Sequence, residues 1–251
     1  LVLGPLRLQP AEFAKFATAL AVSKLMSSYG FDIHRWRHFA MAIGVVVLPM
    51  LFIVGQKETG SALVYLSFFL MFYREGMQGS ILFSGVAMVI YFVVGIKYEN
   101  VMLMDTPTSV GKYVVLLLAQ TFTTGMVASY CKSPKTVRIM AIAVASTTLI
   151  ATLVARFIVA FDIVWVQLAT IFAMAIFLIY QGLSTRIRSF FYISLFCIGS
   201  VLFFYSADYM LNDVMKPHQR VRINVLLGLE EDLSGAGYNV HQSEIAIGSG
   251  G

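Results

Sequence analysis

Eight apolar stretches follow one another along this chain, each close to the length that a helix needs to cross a bilayer, about 20 mainly apolar residues. They lie at roughly 10 to 27, 39 to 55, 61 to 73, 80 to 96, 113 to 130, 139 to 161, 163 to 181 and 189 to 206. Backbone amides have no water to bond in lipid, so such runs must satisfy themselves as helices. The expectation is an all-α fold, a polytopic transmembrane helical bundle of about eight membrane segments. The third run is short and follows the second after only a few polar residues, which predicts a segment that is extended at its ends or partly re-entrant.

Composition excludes the alternatives. With 59% hydrophobic and only 12% charged residues, the chain lies outside the range of soluble domains. A net charge of +5 would suggest nucleic acid in a soluble protein, but here the cations sit in short connections between apolar runs. That is the chemistry of orientation in a bilayer, and no nucleic-acid partner is expected. Cys131 and Cys197 lie far apart and lack ligand spacing, so neither a disulfide nor a metal site rests on them. The chain begins at Leu1 with no basic leader or cleavage signal, and reads as a piece cut from a longer protein at both ends.

Lysine and arginine placement sets the orientation. With Arg7 outside, the inner connections carry Lys24, Arg35, Arg37, Arg74, Lys132, Lys135, Arg138, Arg186 and Arg188, against only Asp32 and Glu75. The outer connections hold just Lys57, Lys97, Lys112 and the basic residues of the final loop, against Glu58, Glu99, Asp105, Asp162, Asp208, Asp213 and the triplet Glu230, Glu231 and Asp232. The polar, glycine-punctuated end of the chain, 207 to 251, is therefore expected as a large extracytoplasmic loop. A loop there meets substrates at the outer leaflet, and no Gly-Lys-Ser/Thr phosphate loop is present to support cytosolic nucleotide chemistry.

Three constellations carry candidate chemistry. The first is Arg7-Leu-Gln-Pro-Ala-Glu12-Phe-Ala-Lys15 at the outer entrance to the first helix. Pro10 suits a first helical turn and Glu12 suits the positive end of the helix dipole, with Lys15 its i+3 partner. Equally, Lys15 lies about 7 to 8 Å along the helix from Pro10, a depth at which a cation needs an anionic partner or a wet cavity. Arg7, Lys15 and the helix start could then seat a pyrophosphate. The second is Gly55-Gln-Lys-Glu58-Thr-Gly60-Ser-Ala62, either a polar turn or a charged pair beside a broken helix. The third is the terminal stretch with Arg220, Arg222 and the acidic triplet, either a solvated turn or an acid serving as general base or metal ligand beside a phosphate. His34, His38 and Trp36 read as an interfacial basic loop, and Arg156 as a snorkelling cation.

Several of these residues form ordered motifs. They are Arg7-x-Gln9-Pro10-x-Glu12-Phe13-x-Lys15, Gln56-Lys57-Glu58-Thr59-Gly60-Ser61-Ala62 and His218-Gln219-Arg220-x-Arg222-Ile223. Further on come Asp232-x-x-Gly235-x-Gly237-Tyr238 and Gln242-Ser243-x-Ile245-Ala246-Ile247-Gly248-Ser249-Gly250-Gly251. In that order they resemble the SEDS family, the RodA/FtsW/SpoVE membrane proteins of bacterial cell-wall synthesis, and the last motif is more like the RodA branch than the FtsW branch. Two departures stand out. Lys57 occupies a position where the family usually has proline, and Leu233 follows Asp232 where Asp-Pro is common.

The resemblance implies a single SEDS-type membrane domain over 1 to 251, with 80 to 181 as inserted helices and 207 to 251 as the catalytic loop. An insertion of four helices is even in number and leaves that loop outside, in agreement with the charge count. The implied activity is peptidoglycan glycosyltransfer, the polymerisation of lipid II in the bacterial cytoplasmic membrane during elongation. Asp232 corresponds to the family's essential acid, a general base in this reading. Arg7 and Lys15 would hold the pyrophosphate, Glu12 would orient Lys15, and Arg220 and Arg222 would close the groove, with Glu58 a further contact. A divalent cation, Mg or Mn, is expected near Asp232 with no dedicated ligand cage, and no organic cofactor is implied. Partners implied are a class B penicillin-binding protein and the membrane proteins of the elongation complex. Two other classes use the same residues: a flippase for lipid-linked precursors, or a noncatalytic scaffold. Without the family's C-terminal helices, the segment alone is expected to be inactive.

Overall fold

The computed structural model describes residues 2–3, 6–7, 10–56, 59–104, 106–214, 217–229 and 238–250. Apart from a minimal antiparallel hairpin of β1 (Val2–Leu3) and β2 (Leu6–Arg7), the described elements are helical. The chain divides into two compact units, Leu1–Val86 and Ala87–Gly251.

In the first unit, α1 (Pro10–Met26) packs on α2 (Trp36–Gly55), followed by α3 (Thr59–Leu63), a tighter turn at Val64–Leu66 and α4 (Ser67–Arg74). Lipid tails are as apolar as leucine, so helices associate in lipid through close packing and small residues rather than through a hydrophobic drive. Accordingly Ala11, Ala42 and Ala62 are buried beside Val22, Val46, Tyr65 and Phe72. The Thr18 hydroxyl donates to the Ala14 carbonyl at 2.7 Å and lies 3.4 Å from the Tyr65 hydroxyl, which ties α1 to the tight turn. Pro49 stands inside α2, where other groups of a membrane helix can take over the lost hydrogen bond.

The second unit is built on α5 (Gly79–Lys97), which begins just before it, α6 (Val110–Met126), α7 (Pro134–Phe157), α8 (Val164–Thr185) and α9 (Ser189–Tyr209). Wider π-type turns extend α6 to Cys131 and α9 to Val214. Helix α7 opens with Ser133 ahead of Pro134, the residue whose missing N–H costs nothing in a first turn. Tyr91, Leu116, Ala119, Ile171, Ala175, Cys197 and Phe204 form one core, while Met140 and Val144 join α7 to Met174, Leu178 and Phe190. Large apolar residues such as Leu149, Phe172, Ile176, Leu195 and Leu202 point outward, as lipid-facing surfaces require.

Gly111 fixes the closest approach in this unit. A Cβ placed there would stand 2.4 Å from the Gly95 carbonyl oxygen, so α6 begins where only glycine fits against α5. Inside the bundle, Gln120 and Gln167 are fully buried, and Gln120 Nε2 donates to the Gln167 main-chain oxygen at 3.2 Å.

Six helices among the described residues are long and apolar enough to span a membrane: α2, α5, α6 with its π turn, α7, α8 and α9 with its π turn. The chain is an all-α, multi-pass membrane protein. The other two expected segments are helical but shorter. Helix α1 has 17 residues, about 25 Å of rise against a hydrocarbon core of about 30 Å. The third run is a broken helix over Thr59–Arg74, in keeping with its short apolar run. The terminal stretch, expected as a loop, carries α10 (Pro217–Leu226) and α11 (Tyr238–Gly248).

Candidate functional site

Helix α1 starts at Pro10, which places Glu12 in the first turn and Lys15 one turn further. Lys15 Nζ meets Glu12 Oε1 at 2.6 Å, with the Lys15 side chain 21% exposed and that of Glu12 49%. The ammonium is thus partly withdrawn beneath its more exposed carboxylate. This geometry serves both earlier readings, helix-start chemistry and a pre-oriented cation at headgroup depth. Arg7 lies in β2, its backbone opposite Val2, while its side chain lies outside the described residues. Glu58 also lies outside them, immediately before α3.

In the second unit, α9 ends in a polar assembly. Arg220 on α10 donates from Nε and Nη2 to the Leu211 carbonyl at 3.1 and 2.8 Å, and from Nη2 to the Asn212 carbonyl. A helix C-terminus leaves carbonyls without intrahelical partners, and a guanidinium fork meets two of them here. The Asn212 amide donates to Glu99 Oε1 at 3.2 Å and to Asp208 Oδ1 at 2.9 Å, while Lys112 stands 3.8 Å from Asp208 Oδ2. The end of α9 is therefore fastened to the connection between α5 and α6, and α10 to the end of α9.

The connection between α7 and α8 joins the same end of this unit. Asp162 Oδ1 accepts from the Thr108 hydroxyl at 3.0 Å and from the Val164 amide at 3.1 Å, while Thr108 Oγ1 accepts from the Ile163 amide at 2.8 Å. These two side chains supply acceptors for the first amides of α8. Asn212, Asp208, Lys112, Glu99, Thr108 and Asp162 were not singled out as site residues from the sequence. The i,i+4 pair Asp208 and Asn212 was a legible signal, whereas the bond from Asn212 to Glu99 spans 113 positions and has no local signature.

Asp232, Glu230 and Glu231 lie outside the described residues, as does the side chain of Arg222, whose backbone belongs to α10. Among the described residues, no group of three histidine, cysteine or carboxylate side chains could hold a metal ion. The carboxylates of Glu99 and Asp208 already meet an amide and an ammonium, so they do not form a vacant cation cage.

Residues 1–108 match the FtsW/RodA/SpoVE family, described as cell cycle proteins. The chain is similar to the peptidoglycan glycosyltransferase RodA of Treponema pallidum (strain Nichols), with 27% identity over 250 residues, 99% of this chain and 47% of that relative. The chain thus spans about half the length of the curated relative it matches. No solved structure matches it.

Proposed function

We propose that this chain, whose residues 1–108 match the FtsW/RodA/SpoVE family of cell cycle proteins, is a segment of a peptidoglycan glycosyltransferase. Its substrate is lipid II, a disaccharide peptide carried on a polyprenyl pyrophosphate. The observation that carries this reading is similarity to a RodA along 99% of the chain, with the Glu12 and Lys15 pair set at the start of α1.

The acceptor hydroxyl attacks the donor's anomeric carbon as its proton passes to the Asp232 carboxylate, and the bond from that carbon to the pyrophosphate oxygen breaks. Lys15 and Arg7 hold the pyrophosphate and offset the negative charge that grows on it, which lowers the barrier. Glu12 fixes the Lys15 ammonium. In the same reading Arg220, whose guanidinium meets the Leu211 and Asn212 carbonyls, Arg222 and Glu58 contribute further substrate contacts. A divalent cation held near Asp232 would supply further positive charge beside the pyrophosphate. The side bearing 207 to 251 is extracytoplasmic, and the partners are a class B penicillin-binding protein and the membrane proteins of the elongation complex.

The full-length protein, purified with its class B partner and supplied with lipid II in detergent, tests the assignment. Glycan strands that depend on this protein are the expected product. A flippase has no bilayer to act across in that assay, so absence of strands, with lipid II moved across vesicles instead, assigns transport. Absence of both activities assigns a scaffold.

A further inference from the structure

The first unit gathers cations at the end where α1 and α4 finish and α2 starts. Lys24 lies in the last turn of α1, Arg74 in the last turn of α4, and Arg35 and Arg37 at the start of α2. The turn after α4 packs against the α1–α2 connection: Gly76 has φ +106, and a Cβ there would stand 3.2 Å from His34 Cε1. These contacts bring Arg74 to the same end as His34 and its neighbours.

The connection itself is built. Asp32 Oδ1 accepts from the His34 amide at 2.9 Å and lies 3.1 Å from His34 Nδ1, while the Asp32 amide donates to His38 Nδ1 at 3.0 Å. Phe31 stacks on the His38 ring at a centroid distance of 5.4 Å. The His34 amide holds the Asp32 carboxyl below its ordinary value, so this acid remains ionised and committed to its own turn. Among the described residues, Arg35 alone of the four cations meets a carboxylate, at 3.7 Å from Asp32 Oδ2.

Helix electrostatics explains only half of these charges. Lys24 and Arg74 sit at C-terminal ends, where cations are favourable. Arg35 and Arg37 sit at the positive end of α2, whose first turn holds no acid. Apart from the approach of Arg35 to Asp32, their charge is left without a carboxylate partner among the described residues and suits an anion from outside the unit. Between them Trp36 is 77% exposed, and Tyr29 in the same connection is fully exposed. Tryptophan and tyrosine are enriched at headgroup depth, where an apolar ring body and a polar edge each find suitable surroundings.

We propose that this end of the first unit, Lys24, Arg35, Arg37 and Arg74 with Tyr29 and Trp36, is a docking surface for anionic phospholipid headgroups. Four cations meet the phosphates by charge, and the two exposed rings enter the interface beside them. A free phosphate would account for the cations and leave the exposed rings without a role. This surface is independent of the polymerase reading.

The test uses the full-length protein reconstituted in vesicles of phosphatidylcholine containing either brominated phosphatidylglycerol or brominated phosphatidylcholine at equal mole fraction. Bromine quenches nearby tryptophan, and the component lost in Trp36→Phe reports on this surface. Stronger quenching of that component by the anionic lipid is expected. The preference should fall by up to about thirtyfold in Arg35→Gln/Arg37→Gln, each cation near an anionic surface contributing about fivefold. Arg35→Lys/Arg37→Lys should retain it, which separates lost charge from misfolding. Equal quenching by both lipids in the wild type overturns the proposal. So does an unchanged preference in the glutamine variant, or its abolition by millimolar inorganic phosphate at constant ionic strength.

Discussion

At the scale of single residues, the ion pair on α1 makes the sharpest commitment. Lys15 is one helical turn inside the membrane-facing helix and holds Glu12 at 2.6 Å. A cation that only stabilised the helix start would contribute a few tenths of a kcal/mol, and its loss would leave catalysis intact. A cation on the leaving pyrophosphate contributes far more. Lys15→Met is predicted to lower kcat/KM for lipid II about a hundredfold, the scale of losing one preorganised charge-stabilising donor. Glu12→Gln should cost less, because the ammonium survives without its orienting carboxylate. Polymerase assays on both variants check the order, and equal, small effects would return the pair to helix-start chemistry.

At the scale of elements, most of the fold was legible because membrane helices announce themselves by length and apolarity. The windows at 80 to 96, 139 to 161 and 189 to 206 correspond to α5, α7 and α9 within a few residues at most boundaries. Less legible was the terminal stretch, where polarity pointed to a loop but α10 and α11 formed. The bonds from Arg220 that fasten α10 to the Leu211 carbonyl are tertiary, and no hydropathy pattern encodes them. The site was legible only where it is local: Glu12 and Lys15 are three residues apart, whereas the link from Asn212 to Glu99 depends on the finished bundle. Glycine spacing was equally opaque, since Gly111 and Gly125 occupy one helix but differ entirely in what surrounds them. An added Cβ meets the Gly95 carbonyl at 2.4 Å in the first case and nothing within 4 Å in the second. Gly111→Ala is therefore predicted to cost about 1–3 kcal/mol, the range for forcing atoms into a packed contact. Gly125→Ala should be neutral or stabilising by up to about 1 kcal/mol. Thermal unfolding in detergent distinguishes them, and equal midpoints would contradict the packing described at Gly111.

At the scale of the whole molecule, charge predicts which side each connection faces. Exposed residues exist on both sets of connections, Tyr29 on the basic set and Met102 on the acidic set. In a background without Cys131 and Cys197, an impermeant maleimide applied to spheroplasts should label Met102→Cys and spare Tyr29→Cys until the membrane is opened. The reverse pattern would place 207 to 251 in the cytoplasm and remove the basis for outer-face chemistry. The central claim is that a carboxylate on that face takes a proton from lipid II during polymerisation. It is tested most directly by the rate of glycan-strand formation in the full-length protein carrying Asp232→Asn, assayed with its class B partner. A loss of about 10²- to 10⁴-fold in kcat with the complex intact is the predicted result, the usual contribution of a general base. Strand formation at the wild-type rate would contradict it.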